Sequence, residues 1–209
     1  MLDQSQNPFI NKKFTKHLNF EKISCILELG TRDGLYTKLI KDFFNADRVI
    51  SIEANPFLIS NIQNNQSGLE GVSLHNIALF DKIGTIDFYL HDDGGSSSVF
   101  IHPHDRMQKI QVPCTTLDEF CKTEKIEKID LICADIEGAE AAVFKNSEIL
   151  KTCHYIITEV KFDKYFKGEY FPNITDMENS LHPLGFEMVE TLVNPGVPFG
   201  DSLWINKNL

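Results

Sequence analysis

Two short apolar runs, each closed by an acidic residue and a turn, constrain this chain more than any other feature. "ISCILELG", from Ile23, and "RVISIEANP", from Arg48, are apolar almost throughout rather than alternating, which is the pattern of strands buried on both faces. Between them "LYTKLIKDFF" puts Leu35, Leu39 and Phe43 on one helical face, and Asn45 ends the helix. After the second run Pro56 is placed to open a further helix, "FLISNIQNN". Strand, helix, strand, helix is the order of an α/β sheet.

The remainder continues that order with one insertion. A third strand is predicted near 72–77. "GTIDFYL" at 84–90 alternates as an antiparallel strand does, and "KIQVPCTTL" at 109–117 is extended, so a β segment is inserted near residues 84–117. "HDDGGSSSVFIHPHD" between them is a loop by composition, either a linker or a lid over a site. "TLDEFCKTEKI" reads as a helix with Thr116 and Glu119 spaced as a capping box. A fourth core strand, an acidic turn and a helix follow in "KIDLICADIEGAEAAVFKNSEIL", and "HYIITEV" is a fifth strand. A helix stopped near Pro183 and Gly185 precedes a closing antiparallel pair, "FEMVETL" with "DSLWIN". The 209 residues fit one domain, divided here into an N-terminal segment, 1–22, and a sheet domain, 23–209.

Charge and cysteine usage narrow the partners. Twenty Lys and Arg against 30 Asp and Glu give a net charge of −10, which repels a nucleic acid, so none is expected. The basic run "NKKFTKH" at 11–17 reads as a solvated helix. Five cysteines are an odd number without Cys-x-x-Cys spacing, which suggests neither a disulfide framework nor a zinc site and fits a reducing compartment. The N-terminus has no signal-peptide core, and no window is apolar enough to span a membrane. A cytoplasmic protein without membrane contact is the expectation.

The turn after the first strand, "ELGTRDG", addresses the ligand. In parallel sheets a ligand sits beyond the carboxyl ends of the strands, where glycine lets the backbone approach it. Gly30 and Gly34 stand there, but their Gly-x-x-x-Gly spacing departs from the dinucleotide fingerprint, which disfavours a pyrophosphate. The turn offers carboxylates instead: Glu28, Asp33 and, at the end of the second strand where a ribose diol is held, Glu53. An acidic pocket suits a cation with hydroxyls and no phosphate, and S-adenosylmethionine has these properties. A side chain at Gly30 is expected to fill the space of its methionine moiety.

These blocks, together with "NIALFDKIGTIDFY", "TTLDEF" and "IDLICADIEGAEAAVF", resemble the FkbM family of S-adenosylmethionine-dependent methyltransferases, from about residue 26 to about 160. The resemblance implies a single-domain Rossmann-like class I methyltransferase fold, mostly parallel, with an antiparallel C-terminal strand pair. It further implies that Glu28, Gly30, Thr31, Asp33 and Gly34 line the methionine end of the cofactor, that Glu53 bonds the ribose, that Ala54 and Asn55 adjoin the adenosine, that Asn76 and Ala78 border the adenine, and that Asp135 faces the sulfonium. Two positions depart from the family pattern. The first acidic residue is Glu rather than Asp, and the lysine that usually precedes the "DIEG" block is replaced by Cys133 and Ala134.

Methyl transfer to a hydroxyl needs an aligned acceptor and a base within reach of its proton. Asp135 and Glu159 end adjacent apolar strands, and Glu137 shares the turn after Asp135, so these three are candidates. Glu140 reads as a helix-terminal carboxylate favoured by the macrodipole. His102 and His104 in "FIHPHD" are further candidates, since imidazole titrates near neutrality, or idle loop residues. Neighbouring carboxylates also suit magnesium, but two oxygen ligands recur by chance and no metal is expected. The resulting expectation is O-methylation of a hydroxyl on a sugar or natural-product small molecule. A nicotinamide-dependent oxidoreductase and a cofactor-binding module without catalysis are the rivals.

Overall fold

The computed structural model describes residues 7–92, 95–101, 107–162, 172–193, 196 and 199–209. A 3-10 turn, Pro8–Ile10, and α1 (Lys12–Thr15) precede β1 (Cys25–Leu29), α2 (Leu35–Phe44), β2 (Arg48–Glu53), α3 (Ile59–Asn65) and β3 (Val72–Asn76). The insertion supplies β4 (Ala78–Leu79), β5 (Gly84–Leu90) and β6 (Gln108–Thr115). Then come α4 (Leu117–Thr123), β7 (Leu131–Ala134), α5 (Glu140–Phe144), β8 (Tyr155–Lys161), α6 (Ile174–Leu181), β9 (Phe186–Val193) and β10 (Phe199–Asn206).

Seven strands form one sheet in the order β3-β2-β1-β7-β8-β10-β9, and β4-β6-β5 form a second. The first five strands of the large sheet are mutually parallel, while β10 pairs antiparallel with both β8 and β9. The fold is therefore the expected mostly parallel Rossmann-like sheet, with the antiparallel C-terminal pair and the inserted β segment. Strand order reverses between β1 and β7, which places a ligand crevice beyond the carboxyl ends of these two strands.

Alternation explains why the strand runs are apolar throughout. Leu27 and Leu29 of β1, Ile132 of β7 and Ile156 of β8 enter one buried cluster with Phe120 and Phe144. Their neighbours Ile26, Leu131 and Ile157 enter another on the opposite face, with Ile40 and Phe44 of α2. Each face buries side chains worth roughly 1.5–3 kcal/mol apiece. Phe9, Ile10 and Phe14 belong to that second cluster, so the basic N-terminal run is anchored by a fully buried phenylalanine with Lys12 and Lys13 exposed beside it. A third cluster, including Ile86, Phe88 and Val112, lies under the inserted sheet.

Two local expectations are corrected. α2 buries Thr37, Ile40 and Phe44 and leaves Leu35 41% and Phe43 39% exposed. The inward face is one position removed from the apolar stripe, because the polar Thr37 is needed inside. Pro56 does not open α3, which begins at Ile59. The Asn55 side chain accepts from the Phe57 N–H at 3.0 Å and holds an intervening turn. No helix among the described residues is long and apolar enough to cross a membrane.

Candidate active site

The glycine turn is closed on itself. The N–H groups of Gly30 and Thr31 both donate to the Ile52 carbonyl, at 2.9 and 3.2 Å, and that of Gly34 donates to Thr31. The Arg32 N–H goes to Glu53 Oε2 at 3.0 Å. These four amides are thus satisfied by protein, and a pyrophosphate would find no donors among them. Gly30 has φ +78°, and a Cβ there would stand 1.9 Å from the Asp135 carbonyl oxygen. The space its missing side chain leaves is filled by the start of the acidic turn rather than by a ligand, which corrects the reason for glycine at this position.

Glu28 is 2% exposed at the centre of a hydroxyl network. Its Oε2 accepts from Thr37 Oγ1 and Ser51 Oγ, both at 2.7 Å, and Gln66 Nε2 donates to the same two hydroxyls. Burial pushes the Glu28 carboxyl up, and the Thr37 and Ser51 hydroxyls oppose that rise. The residue borders a cavity of about 220 Å³ together with Gly30, Thr31, Asp33, Tyr36 and Asp135. That Oε2 is committed to fixing β1, β2 and α2 around this cavity.

Glu53 closes β2 and is 7% exposed. Its Oε1 accepts from the Asn55 N–H at 2.8 Å while Oε2 holds Arg32, so both oxygens are aimed by backbone. Burial raises its pKa, and these backbone donors lower it in part. It borders a second cavity, about 60 Å³, with Gly30, Ala54, Ala78, Asp135 and Glu137. Ile52, Ile77 and Phe88 supply an apolar wall. Arg32, in a left-handed conformation at φ 59°, borders both cavities and stands between them.

The serine loop lies over this cleft. Ser98 is fully buried, exchanges two hydrogen bonds with Tyr89 across an isolated bridge, and donates its hydroxyl to the Glu137 carbonyl at 2.8 Å. Glu137 is itself left-handed at φ 55°. Gly95, Ser97 and Val99 line the 60 Å³ cavity, and a Cβ at Gly95 would lie 2.9 Å from Arg32 Cζ. Gly95, Ser97 and Val99 of this segment thus border the cleft, where a cover over it would stand.

Beside the cleft the strand ends gather carboxyl groups. Asp135 opens onto both cavities, yet surrounding protein desolvates it and raises its pKa against the pull of Lys161 and Arg32. Burial, reinforced by Asp135, Glu137 and Glu140, pushes Glu159 up to about 9. Burial with the Asp135 charge takes Asp201 up to about 7. Burial takes Glu140 to about 7, and it is 4% exposed with Oε1 accepting from the Ile136 N–H at 2.9 Å. Glu140 stands in the first turn of α5, as expected, and is buried there as a brace for the acidic turn. Lys161 on β8 supplies a cation acting on Asp135, in a chain that lacks the lysine before it.

The structure thus brings Gly30, Glu53, Ala54, Ala78, Asp135 and Glu137 to one cavity, and Glu28, Thr31 and Asp33 to its neighbour. It does not bring Gly34, Asn55, Asn76 or Glu159 to either. Gly34 packs on Ile62 of α3, Asn55 holds its turn, and Asn76 donates to the Glu53 and Ala54 carbonyls from behind. Glu159 faces a narrow pocket on the α6 side with Lys161 and Glu140. His102 and His104 lie outside the described residues. Among those described, no group of three or more His, Cys, Asp or Glu side chains is arranged to hold a metal ion. Asp201, Lys161 and Ser98 went unread in the sequence. Asp201 carries no local signal, since only the pairing of β10 with β8 brings it here.

Comparison with known proteins gives a family match and a fold match. The family model described as Methyltransferase FkbM domain matches residues 24–188. The 2-O-methyltransferase NoeI of Sinorhizobium fredii (strain NBRC 101917 / NGR234) is 25% identical over 69% of this chain, which spans 66% of that relative's length. Among solved structures, the Methanococcus jannaschii fibrillarin pre-rRNA processing protein superposes with a TM-score of 0.57 at 14% identity, covering 91% of this chain and 69% of its own. Aeropyrum pernix fibrillarin, solved with natively bound S-adenosyl-L-methionine, does so at 0.56 and 13% identity, covering 92% and 71%.

Proposed function

Because the chain belongs to the FkbM family of S-adenosylmethionine-dependent methyltransferases, we propose that it methylates a hydroxyl group of a sugar or a natural-product small molecule. The observation that carries this reading is the convergence of Gly30, Glu53 and Asp135 on one cavity at the reversal of strand order. The relative named as a 2-O-methyltransferase supports oxygen as the acceptor atom.

The residues present fit the donor. Two carboxylates and an apolar wall suit a cation with a ribose diol and an aromatic base, and the amides of Gly30, Thr31, Arg32 and Gly34 are not free for a phosphate. When bound, the donor supplies an electrophilic methyl group on a positively charged sulfur. Glu53, held by two backbone N–H groups, receives the ribose hydroxyls. Ala54 and Ala78 leave room for the base, and the network around Glu28 keeps the adjoining cavity shaped for the amino-acid end. Asp135 takes up the acceptor's proton as its oxygen attacks, and the Ser98 loop excludes water. A neighbouring positive charge lowers the raised Asp135 pKa and so favours the ionised base. Glu159, protonated at neutral pH, keeps a second negative charge away from Asp135.

Free cysteines at all five positions support a reducing, cytoplasmic setting, and the acidic surface argues against a nucleic-acid acceptor. Residues 23–209 act as one catalytic unit with Phe9 and Phe14 packed on it. Calorimetric titration with S-adenosylmethionine, S-adenosylhomocysteine and NAD tests the reading. Micromolar binding of the first two and none of NAD is expected, and the reverse order would sink it.

A further inference from the structure

Beyond the cleft, a groove of about 400 Å³ runs between the connections that flank β5, which carry Phe80, Asp81 and Phe100, and the helices α5 and α6. That size suits a small-molecule site. Its chemistry is mixed in a particular way. Phe80 and Phe100 meet edge to face at 6.2 Å between centroids and form one wall. Asp81, Lys145, Asp176 and Asn179 contribute polar groups to the rest. Two carboxylates disfavour a polyanion, and the lysine disfavours a cation. A neutral ligand with an apolar face for the aromatic rings and an edge that both donates and accepts hydrogen bonds matches the set, and sugar rings have that build.

The groove adjoins two neighbouring spaces, the Glu159 pocket and, through the cover loop, the cleft. Ala141 and Pro172 line both the groove and the narrow pocket that holds Glu159 and Lys161. The cover loop also divides its residues between the two spaces, with Ser97 and Val99 on the cleft and Phe100 on the groove. Phe100 is tied to that loop by its N–H, which donates to Ser98 Oγ at 3.0 Å. A ligand seated against Phe100 therefore bears on the segment that covers the reacting atoms.

Resting on the reading of the chain as a hydroxyl methyltransferase, we propose that this groove binds the non-reacting rings of an oligosaccharide acceptor, with Phe80 and Phe100 as the stacking surface. The acceptor is then longer than one sugar. Binding energy from its remote rings positions the reacting hydroxyl and settles the cover loop.

The test is a panel of free mono- to tetrasaccharides titrated against protein saturated with S-adenosylhomocysteine, which permits binding without turnover. A tri- or tetrasaccharide should bind roughly tenfold or more tightly than its own terminal monosaccharide. Asn179→Trp, at an exposed helix position, fills the groove, and Phe80→Ala, on the wall away from the cover loop, removes part of it. Each should erase that advantage while leaving monosaccharide and S-adenosylhomocysteine binding as they were. Equal oligosaccharide affinity in wild type and both variants overturns the proposal, as does a protein that binds S-adenosylhomocysteine and no saccharide at all. Failure to bind S-adenosylhomocysteine overturns instead the reading on which it rests.

Discussion

Asp201 stands directly opposite Glu159 in the antiparallel ladder of β8 and β10. With Asp135 close enough to raise both, three strands bring carboxyl groups to one corner of the sheet, and the corner holds protons at neutral pH.

That arrangement makes stability depend on pH in a definite direction. Glu159 titrates near 9 in the folded protein against an ordinary 4.5, and Asp201 near 7 against 3.8. Between these limits the folded chain binds more protons than the unfolded one. The stabilisation is complete below the ordinary values and is lost as pH rises through the folded ones. Scanning calorimetry should show Tm falling from pH 5 to 9. Glu159→Gln should flatten the decline and raise Tm at pH 8, by about 2–4 °C per kcal/mol recovered. An unchanged slope would assign the decline to other groups.

Asp135→Asn should cost turnover about 10²- to 10⁴-fold while Tm holds or rises, because a desolvated charge is removed. Full activity in a folded variant would remove Asp135 from the role of base.

For Glu53→Ala the expected loss of S-adenosylmethionine affinity is about 1–3 kcal/mol, or roughly 5- to 150-fold. Tm should drop as well, because the Arg32 and Asn55 amides lose their acceptor. Titration calorimetry reads the first effect and thermal unfolding the second; unchanged affinity contradicts the ribose assignment.

Gly30→Ala is a folding mutation. The new Cβ would press on the Asp135 carbonyl, and φ +78° is unfavourable for alanine. Soluble expression and Tm should both fall sharply, and a folded variant that had lost only cofactor affinity would contradict this account.

Ser98→Ala cuts the link from the cover loop to the Glu137 carbonyl and removes the acceptor for the Phe100 N–H. KM for the acceptor should rise several-fold, with a stability loss of about 1 kcal/mol. Steady-state kinetics at saturating cofactor separates this from a change in kcat.

The sheet was legible in the sequence because β1, β2, β7 and β8 are buried on both sides, which leaves runs with almost no polar interruption. The inward face of α2 was not, since Thr37 is recruited by a carboxylate on another strand and apolar periodicity is blind to that. Glu53 and Asp135 could be placed because each ends its strand. Asn55 and Asn76 sit at similar ends, but their side chains serve the backbone around them. Asp201 depends on strand pairing across some forty residues, a relation that no local pattern encodes.

β10 lies between β8 and β9 although it follows both in the chain. During synthesis β8 and β9 emerge first and must leave a gap, or part, for a strand not yet made. Until β10 enters, Glu159 lacks the neighbour that faces it, and the edge of β8 is open to other pairings. A ribosome-bound chain that has already formed its glycine turn therefore remains incomplete at the acidic corner until β10 is in place.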